Sequence, residues 1–249
     1  MKLKLNPLAV LRVLAWTILL LLIANICAIG FKLNSDSELL VGATALFDFN
    51  TEANIPTLFS SLALLACSIL LFYIYWAKRL KDKSAKRWLG LSLVFLFLTI
   101  DEIGSIHERI MPLMHDSFEL TGVFYYAWII PYGIAIILLA TVYLPFVLKL
   151  PKNIKTLFFI SAILYISGAI GIEILGGQQD ESYGTYNLVY AIYYTIEELL
   201  EMIGVAVFIY ALLLYIEDFS GFDRFRVKID SSTSSEKTEK KQLRRINKL

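Results

Sequence analysis

Six apolar runs alternate along the chain with short charged or polar blocks, and each run is close to the ~20 residues a helix needs to cross the hydrocarbon core of a bilayer. They cover Val13–Phe31, Leu58–Trp76, Trp88–Ile110, Tyr126–Leu148, Leu157–Leu175 and Leu188–Ile216. No segment alternates apolar and polar residues over a strand length, so the pattern predicts helices and not a transmembrane barrel. The fold class expected is all-α: a polytopic membrane protein with a six-transmembrane-helix bundle over residues 1–218. Residues 219–249 read as a disordered basic cytoplasmic tail. They run from Asp230 through a Ser/Thr-rich stretch to Lys240, Lys241, Arg244 and Arg245, too polar to bury a core and suited to anionic headgroups.

Composition agrees, with 57% hydrophobic and 18% charged residues. The placement of Lys and Arg then predicts orientation, because the cytoplasmic side carries the positive excess. Lys2, Lys4 and Arg12, the loop Lys78–Arg87, and Lys149, Lys152 and Lys155 fall on one side. The other side holds Asp36, Glu38, Asp48, Glu52, Asp116, Glu119, Asp180 and Glu181, with Lys32 and Arg109 as its basic residues. Both termini are therefore expected in the cytoplasm, in a bacterial cytoplasmic (inner) membrane. Trp76 and Trp88 are expected at the inner boundary, and Tyr125, Tyr126, Trp128, Tyr186 and Tyr190 in an outer aromatic belt. The first run is too long for the apolar core of a signal peptide, and Ile26 before Cys27 spoils a lipoprotein-type cleavage site. Cys27 and Cys67 both fall within spans and read as small apolar filler, not as a disulfide or thiolate site.

The runs contain seven carboxylates: Asp101, Glu102 and Glu108 on the third, Glu173 on the fifth, and Glu197, Glu198 and Glu201 on the sixth. An ionised, unpaired carboxylate costs roughly 2.5–3.5 kcal/mol on insertion scales, so the set would cost on the order of 20 kcal/mol. These acids must be protonated, hydrated or bound to cations. At about 1.5 Å per residue all seven fall in the outer half of the membrane. At about 100° per residue Asp101, Ser105 and Glu108 share one stripe, while Glu197, Glu201 and Gly204 share another with Tyr190. Glu102 and His107 point partly away from the first stripe. Gly104 and the Ser167, Gly168 and Gly171 surface predict close helix approach. The loop from Asn34 to Pro56 mixes aromatics with oxygen ligands around Asp48 and Glu52, and reads either as a lid over the bundle or as a linker. Pro56 suits the first turn of the following helix.

In this layer only His107 and Arg109 can offset the acids, and Arg109 lies close enough to the surface to snorkel. Protons, a water-filled cavity or bound metal must make up the difference. Carboxylates with one imidazole suit a divalent metal such as iron, manganese, magnesium or calcium. The expected ligands are Asp101, His107, Glu108, Glu173, Glu197 and Glu201, with Glu102 and Glu198 as catalytic proton relays. The di-iron carboxylate motif fails, because Glu198-Leu199-Leu200-Glu201 has Glu where that motif has His, and no acid lies three residues before His107. Ser105 and His107 face differently on a continuous helix, which disfavours a triad. His115 reads as a solvated loop residue, and Gly176-Gly177 as the end of the fifth helix. There is no phosphate-binding glycine loop and no zinc-protease motif, and nothing calls for nucleic acid.

Three functions fit: a metal-dependent membrane enzyme acting on a lipid-like or apolar substrate, a cation- or proton-coupled transporter, or a membrane scaffold with structural acids. The halves have inverted topology, each ending in an acid pair, as transporter repeats often do. The inner halves of the spans lack a polar path, which favours a closed outer-facing site and hence the enzyme.

Overall fold

The computed structural model describes residues 2–34, 42–109, 120–220 and 225–228. Its helices are α1 (Pro7–Asn34), α2 (Ile55–Lys78), α3 (Ala85–Gly104), α4 (Ile129–Val147), α5 (Lys152–Tyr183) and α6 (Leu188–Ser220). All but α3 are long and apolar enough to cross a membrane, making this a helical membrane-type protein. The charges of α3 sit at its ends, Lys86 and Arg87 at one and Asp101 and Glu102 at the other.

Helix α6 is the axis of the bundle, and α1, α2 and α5 pack directly on it. Of its most apolar stretch 61% is buried, against 11% for α4, which places α4 at the periphery. The closest helix pair is α2 with α3. Two small residues allow that approach: Ser68 Oγ donates to Ser92 O at 2.8 Å and Ser92 Oγ returns the bond to Ser68 O at 2.9 Å. Such reciprocal pairs satisfy both hydroxyls where water is absent.

Local chemistry explains the helix ends. Asn54 Oδ1 accepts from Thr57 N at 3.0 Å and Pro56 occupies the first turn of α2, as its missing N–H allows. Asn187 caps α6 by accepting from Tyr190 N at 2.9 Å. In the turn before α3, hydrogen bonds from Ser84 hold the Asp82 carboxyl below its ordinary range.

The aromatic residues depart most from expectation. Trp88 is 1% exposed, stacked on Tyr215 at 4.7 Å with Phe146 edge-on at 4.9 Å, so it is a core residue and not part of an inner belt. Trp76 is 53% exposed with the Arg79 guanidinium 5.0 Å from its ring, a boundary arrangement. Tyr126, Trp128 and Tyr190, expected in the outer belt, are buried as well. An aromatic near the end of a span looks the same in sequence whether it faces headgroups or a neighbouring helix.

Two helix ends also differ. The third helix breaks after Gly104, with residues 106–109 forming a separate helical turn, and α5 continues past Gly176-Gly177 to Tyr183. Both glycines are buried, and a Cβ at Gly177 would lie 3.1 Å from the Tyr126 ring, so they make room for packing and do not end the helix. Among the described residues Gly104 makes no close helix approach; a Cβ there would meet only Ile106, at 3.5 Å. A short antiparallel pair joins β1 (Lys2–Leu5) and β2 (Phe225–Lys228). Residues 221–224 and 229–249, together with Asp36, Glu38, His115, Asp116 and Glu119, lie outside the described residues.

Candidate functional site

The end of α3 builds the first part of the site. Ser105 takes a left-handed conformation, φ 46° and ψ 46°, with its N–H bonded to Asp101 O, and this terminates the helix. A second helical turn, 106–109, follows, in which His107 N donates to Asp101 Oδ1 at 3.1 Å and His107 Nδ1 lies 3.2 Å from Asp101 Oδ2. Tyr132 Oη on α4 donates to the same carboxylate at 2.7 Å. The continuous helix expected here would have turned His107 away from Asp101, but the break at Ser105 joins them. Trp128 and Tyr132 enclose the imidazole, at ring-centroid distances of 5.0 and 6.4 Å.

Beneath this corner lies a cavity of about 690 Å³ between α3, α4, α5 and α6. Its lining includes six carboxylates, Glu52, Asp101, Glu102, Glu197, Glu198 and Glu201, together with His107. Glu102 and Glu198 are near neighbours across it, and no described side chain hydrogen-bonds to either. Glu201 faces the Tyr165 hydroxyl. Glu173 is not part of the lining; it stands beside Glu197 and accepts from Trp128 Nε1 at 3.2 Å.

A π-helical segment, Ser167–Ile172, interrupts α5 beside α6. A Cβ at Gly168 would fall 2.7 Å from Glu197 O and 3.0 Å from Glu201 Cγ, so only glycine permits this contact. Gly171, expected on the same packing surface, has open space around it. Gly204 repeats the device from α6, where a Cβ would lie 2.9 Å from Tyr165 N.

The loop before α2 supplies a residue outside the expected ligand set, Glu52. Asn25 on α1, with no exposed surface, accepts from Phe49 N at 2.9 Å through Oδ1 and donates to Thr195 Oγ1 on α6 at 2.9 Å. Lys32 pairs with the buried Asp48 at 2.7 Å. Asn54 Nδ2 donates to Ala45 O and Asp48 O, and Ala53 has a positive φ of 58°. Held in this way, the loop puts Glu52 in the cavity wall. Burial pushes the Glu52 carboxyl up; Glu108 and Asp101 push the same way, and His107 and Ser105 oppose them.

Ligand atoms of Glu52, His107 and Glu108 lie within 4.8 Å of one another, and no other trio of His, Cys, Asp or Glu does so among the described residues. The expected ligands are therefore not gathered around one point. His107 and exposed Glu108 join Glu52, Asp101 orients the imidazole, Glu197 and Glu201 line the cavity, and Glu173 stands beside it. Loop acids were visible in sequence; the hydrogen bonds that turn Glu52 inward were not.

An acid-lined cavity within a bundle of long apolar helices defines the class, a helical membrane protein with a polar interior site. The particular family follows from sequence comparison: residues 11–216 match a domain of unknown function, DUF8692, and the chain belongs to that family. Neither the curated proteins nor the solved structures gave a match.

Proposed function

We propose that the protein is a metal-dependent membrane enzyme acting on an apolar, lipid-like substrate. In this reading it crosses the bacterial inner membrane six times with both termini in the cytoplasm, and its cavity mouth faces outward. Glu52, His107 and Glu108 hold one divalent cation, either iron, manganese, magnesium or calcium, whose oxygen-rich preference they match. Asp101 fixes the imidazole from behind, as outer carboxylates do at metal-ligating histidines. The cation would supply Lewis acidity to water or substrate, with Glu102 and Glu198 accepting and returning protons.

The observation that carries the reading is the cavity wall, carboxylate and imidazole at one end and hydrocarbon at the other, formed by Leu93, Val94, Phe97 and Leu139. Structural acids would be expected to be hydrogen-bonded to their neighbours, yet Glu102 and Glu198 line the cavity without such partners among the described residues. Transport is less well supported, because the packing below is apolar, with Leu64, Cys67, Leu71, Ile74, Ile154 and Leu212 all buried.

Elemental mass spectrometry of detergent-solubilised protein, purified without chelators, tests this reading. Near-stoichiometric divalent metal is expected, lost in folded Glu52→Ala and Glu108→Ala and retained in Glu201→Ala. A protein without metal, even after loading with Mn²⁺ or Fe²⁺, would refute it.

A further inference from the structure

Helix α4 meets α3 near its two ends. At the outer end Tyr132 Oη reaches Asp101, and at the inner end the Tyr143 hydroxyl occupies the space that Gly90 leaves free of a side chain. These contacts are eleven residues apart on both helices, a separation of about 16 Å along each axis. Between them the helices stand apart. The gap holds the outer cavity and, continuing inward from it, an apolar groove of about 300 Å³. Val94, Leu98, Ile136, Leu139, Tyr165 and Ile166 line both spaces, so the two adjoin along a shared wall.

Polarity changes along this path. Acids crowd the outer end, whereas the groove is walled by residues such as Phe95, Ala140, Leu144, Ala162 and Phe208. Its one serine, Ser161, spends its hydroxyl on Gly204 O at 2.8 Å. The complementary ligand is a molecule with one polar end and one long apolar end. The length also fits, because about 16 Å is roughly half the ~30 Å hydrocarbon core, the reach of one leaflet's chains.

We infer that the groove between α3, α4 and α5 is a slot for one hydrocarbon chain of a membrane amphiphile. The chain enters sideways between Tyr132 and Tyr143, its polar end at the carboxylates and its tail toward Tyr143. A lateral entrance suits a ligand that never leaves the bilayer, and the two tyrosine contacts set the length of chain admitted. The occupant's role as substrate rests on the proposed cation chemistry; occupation of the slot does not.

The test uses the full chain in phosphatidylcholine nanodiscs containing a phospholipid with a diazirine on its acyl chain. After photolysis, insertion is mapped by peptide mass spectrometry and metal content is measured on the same samples. Insertion at the groove residues Leu139, Tyr143 and Phe159 should exceed that at outward-facing Ile137 and Ile163 roughly tenfold, the ratio that a preference of about 1.4 kcal/mol gives. Ala162→Trp and Ala140→Trp, from opposite walls, should each abolish groove insertion while metal content is unchanged. Groove labelling without metal supports the slot and overturns only the cation reading. Equal labelling at groove and outward positions means annular lipid only and overturns the slot, whether or not metal is bound. Groove labelling that survives both tryptophans overturns it too.

Discussion

Replacing Asn25 with alanine should release the loop that carries Glu52. The side chain has no exposed surface and makes two bonds, accepting from Phe49 N and donating to Thr195 Oγ1, both at 2.9 Å. Loss of the bond to Thr195 costs about 1 kcal/mol, since that hydroxyl keeps its own bond to Ala191 O. Loss of the acceptor strands a buried backbone N–H, which costs about 1–3 kcal/mol. The sum, about 2–4 kcal/mol, falls on the loop and the C-terminal half of α1 and not on the α2–α3 pair. Hydrogen exchange measured by mass spectrometry in detergent reads this directly. Amides around Phe49 should exchange roughly thirty-fold to several-hundred-fold faster, at about 1.4 kcal/mol per tenfold, while those of the α2–α3 pair keep their protection. Metal retention should fall with loop protection, because Glu52 rides on the same segment. Unchanged exchange near Phe49 in a folded variant would refute the claim that Asn25 anchors the loop.

Acidity and packing give two more tests. Because burial and then Glu108 disfavour the ionised form of Glu52, its folded pKa lies above the unfolded one. Without a cation, the ionisation penalty is therefore absent below the unfolded pKa, and stability is lost as pH rises through the raised range. Thermal unfolding across that range should show the decline in wild type, a flatter profile in Glu52→Gln and a reversed slope with Mn²⁺; the same slope in wild type and variant would remove Glu52 from the site. Trp88→Ala should cost about 3–5 kcal/mol as a core truncation, whereas Trp76→Ala should stay within about 0.5 kcal/mol as an exposed change. Denaturant unfolding compares them, and equal sensitivity would return Trp88 to the boundary.

Much of the bundle can be read from the sequence because apolar runs of spanning length have few other uses. Asp101, Glu102, Glu197, Glu198 and Glu201 could be grouped by counting residues along straight helices, and the structure places all of them on one cavity. Counting fails where the backbone departs from a straight helix. The left-handed Ser105 folds His107 back onto Asp101, and serine carries no signal for that conformation. The inward turn of Glu52 depends on Asn25, Lys32 and Asn54, whose partners are set by the assembled bundle. The buried Trp88, Trp128 and Tyr190 show the same limit, because depth in the membrane can be counted along the chain but the facing neighbour cannot.

The π-helical segment of α5 takes one end of the helix out of phase with regular α-helical counting from the other. A stretch with i→i+5 bonding inserts phase into a helix that otherwise advances about 100° per residue. Everything outward of Ile172 is therefore rotated relative to the inner helix, and that rotation turns Glu173 toward Trp128 and Glu197 and sets Gly177 under the Tyr126 ring. Loss of one residue within Ser167–Ile172 would restore α-helical winding and leave Glu173–Tyr183 aimed nearly as it is, because the wider turn takes up about one residue's advance of 100°. The inner packing of Ile154 and Phe158 would not change. The joint can therefore lose its extra residue while the polar end of the helix keeps its aim and the anchoring end its packing.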